Sequence, residues 1–129
     1  MLKEFTELDA WKEARILVNA VYKITNSGLL ERDYGLKEQI QRASVSIMSN
    51  VAESSASKSN IEFSRFLTIA RRSSNEVQSL LYVTLDRKYI FKDIFHDLTQ
   101  QCKKVSQIIN GLIRYLQKKH EITSKRNNQ

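Results

Sequence analysis

The chain has 129 residues, a net charge of +7, no proline, three glycines and one cysteine. That length makes one domain with one core, and no run approaches the roughly 18 consecutive apolar residues of a membrane span. Charges fill the N-terminus where a signal peptide needs an apolar stretch, and Cys102 alone cannot form an internal disulfide, so the protein is expected to be soluble and cytoplasmic.

Scarce proline and glycine predict few turns and long helices. The first helix is expected over about 8–26. Leu8, Trp11, Arg15, Val18, Tyr22 and Thr25 recur by threes and fours, the spacing of one helix face, with Ala14 and Val21 widening it. Thr6 with Asp9 approximates a capping box, and Ser27-Gly28 ends the helix. In the connection, Leu29-Leu30 is expected to fold back on the bundle. The second helix, about 34–55, presents Leu36, Ile40, Ala43, Ile47 and Val51, with Met48 and Ala52 beside them.

Ser59 and Glu62 form a capping box that opens the third helix, about 60–87. Its face is Phe63, Leu67, Ala70, Ser74, Val77, Leu81 and Thr84. Small residues at 70, 73 and 74 let a neighbour approach closely. The fourth helix, about 92–120, carries a seam of Phe91, Phe95, Leu98, Cys102, Val105, Ile109, Leu112 and Leu116. Ile108, Ile113 and Tyr115 fall off that seam, and a second apolar side suggests self-association. Short connections make neighbours antiparallel. The expected fold is all-α, an up-down-up-down four-helix bundle over residues 1–121 with a disordered tail at 122–129.

No motif for a catalytic site, metal or cofactor stands out. His96 and His120 are 24 residues apart on one helix, roughly 36 Å, too far to share a metal. Asp93 and Asp97 flank His96 as ordinary first-turn acids. Cys102 on the seam reads as a small apolar residue. Arg42, Ser46, Asn50 and Glu53 share one side of the second helix, and Ser73 and Glu76 on the third can meet them. They are expected to form a polar network that is structural rather than chemical.

Charge is uneven. Residues 1–60 carry eight basic and eight acidic residues, residues 61–129 thirteen and six. Lys103, Lys104, Gln107, Arg114 and Lys118 fall on one side of the fourth helix, with Lys119 at its edge and Arg87 and Lys88 at the preceding turn. These seven cations are the candidate nucleic-acid-binding residues, contacting phosphates rather than bases. On the third helix, Arg65 and Arg72 can be compensated by Glu62 and Glu76.

The run Tyr34 to Glu76, YGLKEQIQRASVSIMSNVAESSASKSNIEFSRFLTIARRSSNE, resembles the four-helix bundle family named for proteins encoded in intervening sequences of bacterial 23S rRNA genes. The resemblance rests on Tyr34-Gly35-Leu36, Gln39-Ile40, Arg42-Ala43, Ser46-Ile47 and Asn50-Val51-Ala52-Glu53, then on Glu62-Phe63, Arg65-Phe66-Leu67, Ile69-Ala70, Ser73 and Glu76. Leu8, Trp11, Ala14, Tyr22, Thr25 and Tyr89 also fit, so it covers about residues 5–117. Ser54 replaces a glycine of the family's pattern and Gln41 an arginine. The resemblance implies a left-handed bundle assembling as a ring, typically a homopentamer, and no enzyme. It also implies association with RNA or a ribonucleoprotein, through similarity to the accessory protein of diversity-generating retroelements. The alternative is a structural adaptor whose partner is a protein, for example a reverse transcriptase.

Overall fold

A computed structural model describes residues 4–127. A 3₁₀ turn at Phe5–Glu7 leads into α1 (Asp9–Thr25). A second 3₁₀ turn, Leu30–Arg32, precedes α2 (Tyr34–Ser55), followed by α3 (Asn60–Asp86) and α4 (Lys92–Asn127). The described residues form an all-α four-helix bundle in which each helix packs on its neighbours in sequence and α4 closes back on α1. Cross-helix pairs run in opposite directions: Ser46 meets Ser73, Ser74 meets Ser106 while Arg71 meets Asn110. α3 and α4 are therefore antiparallel, as the short connections require of the other neighbours in sequence.

The caps explain the element ends. Ser59 Oγ accepts from the Glu62 backbone N–H at 3.1 Å, as the capping box predicts. Asp33 caps α2 by accepting from Leu36 N–H at 3.3 Å. α1 differs from expectation: its cap is Leu8, with no side-chain hydrogen bond, because Thr6 lies inside the 3₁₀ turn. Gly28 is left-handed, with φ of 61°. α3 ends in a Schellman turn: Tyr89 N–H bonds Thr84 C=O and Lys88 N–H bonds Leu85 C=O. The left-handed position, usually glycine's, is held by Lys88 at φ 61°.

The core follows the predicted faces of α2 and α3 closely. All seven expected α3 positions are buried, and so are Ile40, Ala43, Ile47 and Val51 on α2. α1 is rotated from the expected stripe. Its buried residues are Ala10, Ala14, Leu17, Val21 and Thr25, while Arg15 and Tyr22 are exposed and Trp11 sits at the edge. Small side chains let α1 lie close to the bundle; the aromatic and guanidinium groups fit only at its rim. Leu30 is buried as expected, but Leu29 is exposed.

On α4, Leu98, Cys102, Val105, Ile109 and Leu116 are buried. At the next step of the seam Ile113 is buried and Leu112 only half-buried. A helix near 3.6 residues per turn drifts from a strict heptad, so the neighbouring residue rotates inward. Ile113 thus belongs to the core, which narrows the second apolar side. Phe91 is 83 % exposed, because it precedes α4 at the rim while Ile90 packs on the core. α4 also runs past the expected end near His120, through Asn127, with Lys125 and Arg126 in its last turn where cations complement the helix dipole. The His120 side chain and residues 128–129 lie outside the described residues.

Lys88→Gly removes the Cβ that crowds the left-handed region. It is expected to raise stability by about 1 kcal/mol. Urea denaturation should show a higher midpoint at unchanged slope; an unchanged or lower midpoint would refute the strain.

Candidate nucleic-acid interface

α4 supplies the basic surface. After Asp97 the chain carries seven basic residues against one acid, Glu121. Lys103, Gln107, Arg114 and Lys118 are all exposed and recur at helical spacing on the outward side of α4. Lys103 and Lys118 stand roughly 22 Å apart along the axis. Lys125 is exposed one further repeat on. Among the described residues, Lys103, Arg114, Lys118 and Lys125 form no ion pair.

Lys104 is different. Its ammonium meets Glu13 Oε1 of α1 at 3.0 Å. Gln101 Nε2 donates to the Glu13 carbonyl oxygen at 2.9 Å and to its Oε1 at 3.2 Å. The Lys104 and Gln101 hydrogen bonds hold the Glu13 carboxyl below its ordinary pKa, against burial that raises it. Lys104 is therefore engaged in joining α1 to α4. Lys119 is exposed beside the stripe.

Arg87 and Lys88 stand at the opposite end of α4 from Lys118. They lie at the α3–α4 turn, before Lys92, and α4 separates that turn from Lys118 by roughly 40 Å. Both are exposed. Beside them, Tyr89 Oη donates to Asp33 Oδ2 at 3.0 Å, so one aspartate caps α2 and anchors this turn. The bond to Asp33 raises the Tyr89 pKa, burial adds to that, and Arg87 lowers it.

The expected polar network divides. Ser46 and Ser73 hydroxyls meet at 2.8 Å. Asn50 Nδ2 donates to Ser46 C=O at 2.8 Å and to its Oγ at 3.1 Å. Arg42, Glu53 and Glu76 are exposed instead. Arg42 reaches only Glu38, at 3.9 Å, with both side chains largely in water, an arrangement worth little. Nor do Glu62 with Arg65, or Arg72 with Glu76, form ion pairs among the described residues. Serine and asparagine are short enough to lie between helices, whereas long charged side chains extend outward.

Other cross-helix contacts escaped the sequence reading. Gln41 Nε2 donates to Thr25 Oγ1 at 2.8 Å. Ser74 Oγ meets Ser106 Oγ at 2.8 Å and donates to Cys102 C=O at 3.3 Å. Arg71 Nη1 donates to Asn110 Oδ1 at 3.2 Å. Their signal was a Ser, Gln or Asn at the margin of an apolar stripe.

Burial pushes the Cys102 thiol up to about 12, so it is protonated at neutral pH, the opposite of a reactive thiolate. Asp93, His96 and Asp97 are all exposed. Among the described residues no group of three or more His, Cys, Asp or Glu could hold a metal ion, and no helix is long and apolar enough to cross a membrane.

Four antiparallel helices closed by α1–α4 contacts, with polar pairs between neighbours, define a helical-bundle protein whose exposed chemistry is cationic. The chain belongs to the 23S rRNA-intervening sequence protein family, whose profile matches residues 6–111. It is similar in structure to a crystal structure of a protein of unknown function from the S23 ribosomal protein family of Bacteroides thetaiotaomicron. The two share 19 % identity with a TM-score of 0.75, over 81 % of this chain and 95 % of that one, a likeness of fold. No curated protein matches the chain.

The lowered Glu13 pKa carries a pH signature. A carboxyl whose pKa falls on folding contributes stability above its unfolded pKa and loses it as pH drops through the folded value. Wild type should therefore exceed Glu13→Gln at pH 7, by less than about 1 kcal/mol because Lys104 is largely solvated. The gap should close under acid, below the ordinary carboxylate range. Denaturation of both proteins across pH 2–7 checks this; a gap that persists at the lowest pH would refute it.

Proposed function

We propose that this protein is a non-enzymatic homo-oligomer, a pentamer, that associates with RNA or a ribonucleoprotein through the outward side of α4. The observation that carries the reading is the exposed, uncompensated row Lys103, Arg114 and Lys118, extended by Lys125. Such a row offers charge to phosphates at regular spacing, so binding is led by the backbone and falls with salt. The family's name supplies the context of ribosomal RNA. The turn cations Arg87 and Lys88 make a second, separate contact region at the other end of the bundle.

Binding of a labelled structured RNA, titrated with salt, tests this. Replacing Lys103, Arg114 and Lys118 together by Gln should reduce the slope of log K against log salt by about two to three, near one per lost phosphate contact. An unchanged slope would remove α4 from the interface.

A second reading, an adaptor that binds a protein such as a nucleic-acid enzyme, draws on one observation. Between α1 and α4 lies an apolar groove of about 380 Å³, lined by Ile24, Ile90, Phe91 and Ile94 among others. Partners captured with the protein should be lost on nuclease treatment if RNA is the primary ligand. Partners that survive, with no RNA recovered, would establish the adaptor instead.

A further inference from the structure

The basic row of α4 is bordered by α1 on one side and by α3 on the other, and the two borders differ. Toward α1, Lys104 is held by Glu13 at 3.0 Å. Toward α3, the row gains a cation. Arg71 Nη1 donates to Asn110 Oδ1 at 3.2 Å. That places the guanidinium beside the stretch between Lys103 and Arg114, where the outward side of α4 carries no charge for roughly 16 Å.

Arg71, Asn75, Gln78 and Tyr82 recur by fours and threes, so they share one side of α3. Contacts at both ends of this line show that it borders α4: Arg71 meets Asn110 and Tyr82 meets Phe95. Tyr82 is 56 % exposed. Its ring stands edge-on to Phe95, with centroids 4.9 Å apart and planes at 66°. Phe95 is half-buried and packs on the core. The Tyr82 ring is thus braced at one side and open to solvent over more than half its surface. The other exposed aromatic side chains stand elsewhere: Tyr115 on the Lys104 side of α4, and Phe5, Tyr22, Tyr34 and Phe91 on α1, on α2 or before a helix.

Charge gives this border a direction. Toward the α3–α4 turn, the exposed Asp86 and Asp93 oppose Arg87, Lys88 and Lys92. Toward the far end of α4 come Lys103, Arg71, Arg114, Lys118 and Lys125, against Glu121. Glu62 and Glu76 of α3 recur with Ser73, which meets α2, so they face away from this border. Tyr82 is level with Phe95, and Lys103 lies eight residues further along α4, roughly 12 Å. A few nucleotides span that distance.

We propose that Tyr82 stacks one unpaired base of an RNA whose phosphates lie along Arg71 and the α4 row. The inference rests on the phosphate-binding reading of that row and names the class of RNA it takes: one with an unpaired nucleotide in a loop, bulge or single strand. A base within a duplex has both faces covered by its neighbours, whereas an unpaired base can stack on an aromatic side chain. Such stacking tolerates any base, because every base has a π-face.

The test compares an RNA hairpin with an adenine loop and a blunt duplex of the same stem. Tyr82→Leu keeps an apolar contact for Phe95, and circular dichroism should show an intact fold. It is expected to weaken hairpin binding by about 5- to 100-fold, the range for one lost base–aromatic stack. The salt slope and duplex binding should stay unchanged, and Tyr82→Phe should bind as wild type. Arg71→Gln should instead lower the slope, by about one. With 2-aminopurine in the loop, wild type and Tyr82→Phe should quench its fluorescence on binding, a readout that needs no fold-sensitive variant. Stacking is overturned if Tyr82→Leu binds the hairpin as tightly as wild type, if it weakens hairpin and duplex alike, or if wild type at saturation leaves the fluorescence unchanged. In each of those cases the phosphate row stands. If wild type binds neither RNA at low salt, the row reading fails, and the stack with it.

Discussion

Ser73 and Ser74 stand side by side on α3, and each holds a different neighbour. Ser73 meets Ser46 of α2, while Ser74 meets Ser106 of α4 and the carbonyl of Cys102. Contacts this short between serine side chains require the helix backbones to be close, which Ala70, one turn earlier and fully buried, also permits. Neutral hydrogen bonds of this kind are worth about 1 kcal/mol each, but a hydroxyl left unpaired in the interior costs more. A shift of one helix by a single residue would strand several hydroxyls at once. The serines therefore select the register, while Leu67, Leu81, Ile47 and Ile109, all fully buried around them, supply the larger stabilisation: truncating one such side chain typically costs 2–5 kcal/mol.

The same logic governs the other two interfaces, with longer side chains. Gln41 spans to Thr25 between α1 and α2, where the family pattern has an arginine; the neutral amide needs no counter-ion beside the buried threonine. Glu13 collects Gln101 and Lys104 between α1 and α4. Each adjacent pair of helices is thus fixed by at least one polar contact of defined length. The serine pairs and the Glu13 cluster lie toward the middle of the bundle, whereas Gln41 meets the last residue of α1. At one end Asp33 joins the α2 cap to Tyr89. At the other, α4 continues beyond Leu116 with no further buried residue among those described.

How far the sequence disclosed this depends on the residue. α3 was legible throughout because a capping box marks its start and its apolar spacing is unbroken. α1 was misread because Trp11 and Tyr22 dominate any hydrophobic stripe, while Ala10 and Ala14, which make the contact, carry little signal. Periodicity reports direction around a helix and says nothing of depth. Arg42, Ser46, Asn50 and Glu53 share a side of α2, yet only Ser46 bonds to α3, with Asn50 held on Ser46. Nor does composition show which cations are engaged. Lys103 and Lys104 are adjacent in the chain, but one rotation of about 100° leaves Lys103 unpaired among the described residues and brings Lys104 to Glu13.

That rotation also separates two roles of α4 side chains. The proposed phosphate-facing row follows Lys103 outward, whereas Lys104 turns toward Glu13 of α1. A homo-oligomer that leaves the basic row in solvent would repeat it in every copy. Repetition matters physically, because a few isolated cations bind a phosphate chain weakly and lose much of that affinity at physiological salt. Rows linked in one particle engage the same polyanion together, each later contact being intramolecular. On this view assembly and binding are linked: repetition multiplies a contact too weak to act alone.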